Sequence, residues 1–401
     1  MRRRPVTFAA PEPEGSAVIE RMRNVLVHGW RSSLSVAAAL LIAATTSLAQ
    51  TEEKPRLPAG VDPFDWEAYF DWGTEHLAKD LTASDSAILW SSKLRPDRAE
   101  PLFARWITFW ARDIGRFEKY LADDDKTLHD PRVAEAEALR DRALRRNPFV
   151  HQGMIVYLYQ KLPGYIRDTP VTRAWFALGE GDLPRALDLF ATVISRDPQR
   201  FGFLRFVRAS AFVNSGKPDS AAAEVTKLLD QLHAQDAKSL GSGYESKELL
   251  EYALGLVEVR RNHGAAARDA FGRALVENAA FSPAHAMLGE LAMNARDTTT
   301  ALLEYGLATE TDSTDVELIL GMGRAYLLAN RPADAALQFQ RAVRLEPIYA
   351  EPYLRLASAL ETRGDKPGAA KAYVQFLQRT SQDDYRRGGI QQKLQLLAAS
   401  P

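Results

Sequence analysis

The sequence predicts an all-α fold, a superhelical solenoid of stacked helix pairs entered through an aromatic-rich helical N-terminal segment. Two observations carry this. Small and bulky residues recur with a 34-residue period over 248–383, and upstream of them apolar residues recur at three- and four-residue steps, the spacing of one helix face. Composition agrees: of 401 residues, 46% are hydrophobic and 26% charged, the balance of a folded chain long enough to bury a core without staples. Lys plus Arg (51) nearly equals Asp plus Glu (52), so there is no basic field to hold a nucleic acid and no such partner is expected. There is no cysteine, which removes disulfides, thiolate zinc sites and cysteine nucleophiles together.

Residues 1–49 read as a leader. Arg23 and Arg31 precede an apolar run from Leu34 to Ala44, and Ser47-Leu48-Ala49 places small residues where a signal peptidase reads them before Gln50. The layout from Met22 onward suggests that translation starts there. The apolar run of 11 residues is short for a membrane span of about 20, so cleavage and export to the periplasm or beyond are expected. A retained leader, anchoring the chain in the inner membrane and facing the periplasm, is the alternative and the one route to a membrane. Cleavage leaves 45 basic and 49 acidic residues, a mildly acidic chain. Arg outnumbers Lys 38 to 13, which reads as the codon bias of a GC-rich bacterium and says nothing of activity.

Residues 50–61 form a linker, and 62–166 read as a helical region that is only faintly repetitive. Leu102, Phe103, Trp106, Ile107, Trp110, Ile114, Phe117 and Leu121 mark one face of a long helix. Five of seven tryptophans, Trp66, Trp72, Trp90, Trp106 and Trp110, fall between 64 and 120. Rings at helical spacing usually fill a core, here a cap on the first repeat. Of these, Trp66, Trp72, Trp106 and Trp110 are also the candidate docking aromatics. Met154–Tyr159 has the composition of a short strand, although the helical surroundings favour a buried helix.

Residues 167–234 hold two helix pairs in the 34-residue frame. The first runs through Leu183–Phe190 to Pro198; the second turns at Ser215-Gly216-Lys217-Pro218 and carries Arg208 where a small residue is usual. The register breaks at 235–247, where Leu240-Gly241-Ser242-Gly243 marks a linker or hinge. Four repeats then fill 248–383 without a gap. Leu254-Gly255, Leu288-Gly289, Met322-Gly323 and Leu356-Ala357 align, as do Ala267, Ala301, Ala335 and Ala369, and Phe271, Tyr305, Phe339 and Tyr373. Small side chains let two helices approach where they cross, and the aromatic rings fill the space beside the crossing. Turns are expected at Asn262-His263-Gly264, Asn330-Arg331-Pro332 and Arg363-Gly364-Asp365, with Gly supplying positive φ. Over 384–401, Gly388-Gly389 breaks the chain before a capping helix marked by Ile390, Leu394 and Leu397.

The pattern met by Met322, Gly323, Tyr326, Ala335, Phe339, Ala342 and Pro347 resembles the tetratricopeptide repeat family, and four units in one register make the resemblance specific. Ser313 and Ser381 depart from it, standing where the family has proline, and Phe376 replaces a small residue, so the last unit is expected to pack as an end cap. The resemblance implies a concave groove lined by five positions of each first helix. These are Leu249, Tyr252, Leu256, Val259 and Arg260, then Pro283, Ala286, Glu290, Met293 and Asn294, then Glu317, Leu320, Arg324, Leu327 and Leu328, then Glu351, Leu354, Ser358, Glu361 and Thr362. From these, Tyr252, Leu256, Glu290, Met293, Leu320, Arg324, Leu327, Leu354 and Glu361 are the candidate groove for a partner peptide or helix, with some of the leucines expected to touch neighbouring repeats instead. Family members that clamp a chaperone's terminal carboxylate use lysines and asparagines where this chain has Tyr252, Leu256, Met287, Glu317 and Gly321, which disfavours that role.

No reactive constellation stands out. The seven histidines lack the i, i+4 pairing of a zinc helix, so neither a metal nor a cofactor is expected. Gly321-Met322-Gly323 lacks the third glycine of a phosphate loop, and Gly241-Ser242-Gly243 is not a nucleophile elbow. Asp123-Asp124-Asp125 and Asp312-Ser313-Thr314-Asp315 lack calcium-loop spacing and read as solvated helix ends. The expected function is a non-catalytic scaffold or adaptor of the bacterial envelope that binds a protein partner. The alternatives are a membrane-tethered scaffold, or an accessory subunit of an envelope enzyme with its site in 62–166.

Overall fold

A computed structural model describes residues 54–55, 57, 60–77, 79–112, 130–150, 169–236 and 246–399, which form helices and turns with no strand among them. The leader, Met154–Tyr159, Asp123–Asp125 and the glycine-bearing centre of the 235–247 linker lie outside the described residues. Four helices come first: α1 (Trp66–His76), α2 (Leu81–Leu94), α3 (Ala99–Ala111) and α4 (Pro131–Arg146). The face expected to run from Leu102 to Leu121 is described as far as Ala111. Two pairs follow, α5 (Pro170–Gly179) with α6 (Leu183–Arg196), and α7 (Leu204–Asn214) with α8 (Pro218–Asp236). Arg208 is accommodated in α7 because Glu224 of α8 lies buried beside it at 3.0 Å and also takes Arg205 at 3.2 Å.

The C-terminal stack has four pairs. They are α9 (Lys247–Arg260) with α10 (Gly264–Glu277), α11 (Ser282–Asn294) with α12 (Thr298–Thr311), α13 (Val316–Leu328) with α14 (Pro332–Leu345), and α15 (Glu351–Thr362) with α16 (Lys366–Leu377). The second helices start 34 residues apart, at Gly264, Thr298, Pro332 and Lys366, so the period of the sequence is the period of the structure. Small residues stand where rings come close. A Cβ on Gly255 would collide with the Phe271 ring and one on Gly323 with Phe339, while one on Gly289 would sit 2.8 Å from Tyr305. Phe271, Phe339 and Phe376 are wholly buried, and each contributes roughly 2–3 kcal/mol by removing its apolar surface from water.

The turns inside the pairs repeat too. Asn262, Arg296, Asn330 and Gly364 each take positive φ, at 59°, 59°, 57° and 83°. In the first turn the left-handed residue is therefore Asn262 and not Gly264, which instead opens α10. Asn tolerates that conformation better than most side chains. Phe376 replaces a small residue because nothing regular follows it: α17 (Arg387–Ala399) lays Ile390, Leu394 and Leu397 on the last pair, and the Arg386 guanidinium covers the Phe376 ring at 5.0 Å. Upstream, Val225, Leu228, Leu229 and Leu232 of α8 share one cluster with Leu250, Ala253, Leu254 and Val257 of α9, so the described residues on both sides of the 235–247 linker pack together.

Candidate protein-binding face

The inner wall of the stack meets the N-terminal helices of the same chain. Ile88, Leu102, Phe103, Ala143 and Leu144 form one apolar cluster with Leu249, Tyr252, Phe281 and Ala284, against which Leu256 is partly buried. At the far end, the Ser381 hydroxyl donates to the Asp62 carboxylate at 2.8 Å, and Ile348 packs into the cluster of Tyr69, Trp66, Trp72 and Trp90. Between these contacts Arg145 reaches Asp312 at 3.3 Å, and Arg146, with 14% of its side chain exposed, pairs with Asp315, with 4%. The described residues between 62 and 146 thus touch all four units, which requires the stack to curve around them.

Helix polarity sorts the twenty positions that line the groove in the family. Towards the N-terminal ends of the first helices, Leu249, Tyr252, Pro283 and Leu320 are buried. The Tyr252 hydroxyl donates to the Arg145 carbonyl at 2.9 Å, and burial pushes its phenol above the usual range. Leu320 sits in the core of the third and fourth pairs, with Leu327 and Leu354 partly buried against it. Towards the C-terminal ends the wall opens: Val259 and Leu328 are 37% and 38% exposed, Arg260, Asn294, Ser358 and Thr362 are exposed, and Met293 is half-covered.

Two carboxylates on this open rim are paired with cations of the chain. Arg324 lies 3.0 Å from the Glu290 carboxylate, which also accepts from the Tyr305 hydroxyl at 2.9 Å. One phenol, one carboxylate and one cation recur at the last pair, where Tyr373 donates to Glu361 and Lys393 of α17 approaches Glu361 at 2.9 Å. Each cation comes from the next helical unit, so these triads tie successive units together. Arg324 already has a carboxylate partner without any ligand. Glu361 is held below the usual carboxylate range by the Tyr373 hydroxyl first and Lys393 second.

The four candidate docking aromatics are placed among their own neighbours. Trp110 is buried, edge-on to Phe109 at 4.8 Å, and Trp106 donates its indole N–H to Glu137 at 2.8 Å. Trp72 stacks on His76 at 4.0 Å, and the Trp66 ring carries the Arg98 guanidinium at 5.1 Å. The acidic run 312–315 is not a solvated helix end: Asp315 is buried, caps α13 through the Glu317 amide and holds Arg146. Sequence reading missed this because Arg146 and Asp315 stand 169 residues apart and nothing local joins them. Among the described residues no group of three or more His, Asp or Glu side chains is placed to hold a metal, and no helix is long and apolar enough to cross a membrane.

Residues 252–315 and 320–384 match the family model described as Tetratricopeptide repeat. The C-terminal helix pairs are tetratricopeptide repeats. No curated protein matches the chain. Among solved structures, the C-terminal part of a tetratricopeptide repeat-containing protein from Cytophaga hutchinsonii is 14% identical, covering 58% of this chain and 96% of its own, with a TM-score of 0.44. YrrB, described as a tetratricopeptide repeat protein with an unusual peptide-binding site, is 18% identical over 51% of this chain and 98% of its own, with a TM-score of 0.39. PilF of Pseudomonas aeruginosa is 16% identical over 49% of this chain and 87% of its own, also at 0.39. At these identities the likeness concerns the fold. The tetratricopeptide repeats of this chain therefore present a two-part inner wall, covered by the chain itself at one edge and open at the other.

Proposed function

We propose that this protein is a non-catalytic scaffold or adaptor of the bacterial cell envelope, holding a partner peptide or helix along the open edge of its repeat stack. The observation that supports this reading is the row formed by the C-terminal ends of α9, α11, α13 and α15. Apolar Leu256, Val259, Met293, Leu327 and Leu328 alternate there with polar Arg260, Asn294 and Thr362 and stay partly accessible after the chain has folded. An amphipathic helix matches such a row, apolar along its axis and polar at its margins. Export rests on the leader-like residues 1–49, and mass measurement of the mature N-terminus tests it: a chain starting near Gln50 fits cleavage, whereas one retaining Leu34–Ala44 fits a membrane tether.

The partner site is tested by affinity capture from envelope extract with wild-type protein and with Val259→Asp plus Leu328→Asp. Both positions are more than a third exposed, so the substitutions spare the core and leave the melting temperature within a few degrees. Leu320→Asp would not serve, because Leu320 is buried and a carboxylate there would unfold the third pair. The expected result is one partner recovered by the wild type and lost by the double variant. A partner retained by the variant moves the site off this edge.

A further inference from the structure

The covered half of the inner wall has a chemistry of its own. Helix α4 points its C-terminal end at the stack, and that end carries the negative pole of the helix dipole. It faces Asp312, Asp315 and Glu317, so an unmodified helix end would be repelled. Arg145 and Arg146 in the last turn reverse the sign: Arg145 reaches Asp312, Arg146 reaches Asp315, and the Arg145 carbonyl accepts from Tyr252. Ala143 and Leu144 fill the apolar cluster beside them. A buried ion pair loses about as much in desolvation as it gains in attraction, so its contribution is selectivity more than strength.

We infer that the wall formed by Tyr252, Asp312, Asp315 and Glu317 is a receptor for an amphipathic helix ending in consecutive arginines, filled here by the chain's own α4, and that a partner helix of the same chemistry competes for it. This rests on the reading of the stack as a protein-binding scaffold, but it concerns the opposite edge of the wall. The edge with Val259 and Leu328 mixes apolar and polar side chains, and its carboxylates, Glu290 and Glu361, are already paired with Arg324 and Lys393; this one is read by charge.

The probe is a labelled synthetic peptide with the sequence of residues 131–150, titrated into the full chain and followed by fluorescence anisotropy. The wild type, its wall occupied, binds weakly. Arg145→Glu plus Arg146→Glu repels α4 from Asp312 and Asp315, and peptide affinity is expected to rise on the order of tenfold or more, the effect of about 1.4 kcal/mol of lost competition. Adding Asp312→Asn and Asp315→Asn, the latter still able to cap α13, abolishes the gain, as does a peptide carrying Gln at both arginines. Equal affinity for the wild type and the Arg145/Arg146 variant, or for the Gln peptide, overturns the inference. Should the double variant not fold, hydrogen exchange on the wild type decides: millimolar peptide must raise exchange across α4, and unchanged exchange there counts against the receptor. Val259→Asp plus Leu328→Asp leaves peptide binding intact, so the two edges fail separately.

Discussion

Where α13 crosses α14, Gly323 faces the ring of Phe339; where α1 crosses α2, two buried serines, Ser84 and Ser91, donate to the carbonyls of Gly73 and Trp66 at 2.7 and 2.9 Å. Both crossings bring helices close over a glycine, Gly323 under the Phe339 ring and Gly73 beside Ile88, but the second adds two serine hydrogen bonds to the packing. Volume matching can be copied every 34 residues, and the stack copies it three times with glycine and, in its last unit, with Ala357. The serine lock depends on two particular carbonyls. The two regions should therefore fail in different ways. Phe339→Ala empties a fully buried site and is expected to cost about 3–5 kcal/mol. Because Phe339 packs within the cluster shared by the third and fourth pairs, hydrogen exchange should rise mainly in α13, α14 and α15. Ser84→Ala, by contrast, leaves one buried acceptor short of a donor and costs about 1–2 kcal/mol. A Phe339→Ala variant whose exchange rose evenly from α1 to α17 would remove the distinction.

The seam between the regions titrates. Glu317 stands on the covered half of the wall, and burial first, then the neighbouring Asp97 and Asp315, push its carboxyl up to about 7, with Arg146 and a 3.3 Å bond from the Tyr349 hydroxyl opposing. A carboxyl whose folded value is raised binds its proton more tightly when docked, so stability falls as pH climbs from the ordinary Glu range towards 7. Asp315 runs the other way: held below the usual range by Arg146 against the cost of burial, it contributes stability that is lost only when pH falls beneath the ordinary Asp range. Glu317→Gln removes the first slope. It is expected to raise stability by about 3 kcal/mol at pH 8 and to leave it unchanged at pH 4, measured by thermal melts across that range. A gain independent of pH would mean that Glu317 acts by shape and not by charge.

The stack was legible because its information is local and repeated: Gly255, Ala267 and Phe271 recur in register, and the helices follow them. Phe376, off pattern in sequence, was legible as the end of the array, and α17 covers it. The inner wall was legible only in outline. The resemblance names Tyr252 and Leu320 as lining, but no pattern in α9 or α13 tells that Tyr252 is already met by Arg145. The tryptophans were legible as core, since rings at helical spacing pack, whereas their partners, Glu137 for Trp106 and Arg98 for Trp66, come from tertiary contacts. Contacts between residues far apart in the chain, apolar and charged alike, leave no periodic trace, and the covering of the inner wall is made of them.

The smallest effect probes how strictly the array repeats. Three of the four left-handed turn positions hold Asn or Gly, and the fourth holds Arg296, whose exposed side chain bears the steric strain of a φ of 59°. For a side chain without a local hydrogen-bonding group that conformation costs roughly 1–2 kcal/mol, while Gly adopts it freely but adds freedom to the unfolded chain. Arg296→Gly is therefore expected to raise stability by about 0.5–1 kcal/mol, and Arg296→Asn by less. The reciprocal change, Asn330→Arg, should lower it by a similar amount, since both positions follow the first helix of their pair at the same place. Denaturant melts of the three variants measure this. If Arg296→Gly lost stability while Asn330→Arg kept it, the two turns would not be equivalent, and the 34-residue frame would hold for the rings but not for the backbone that links them.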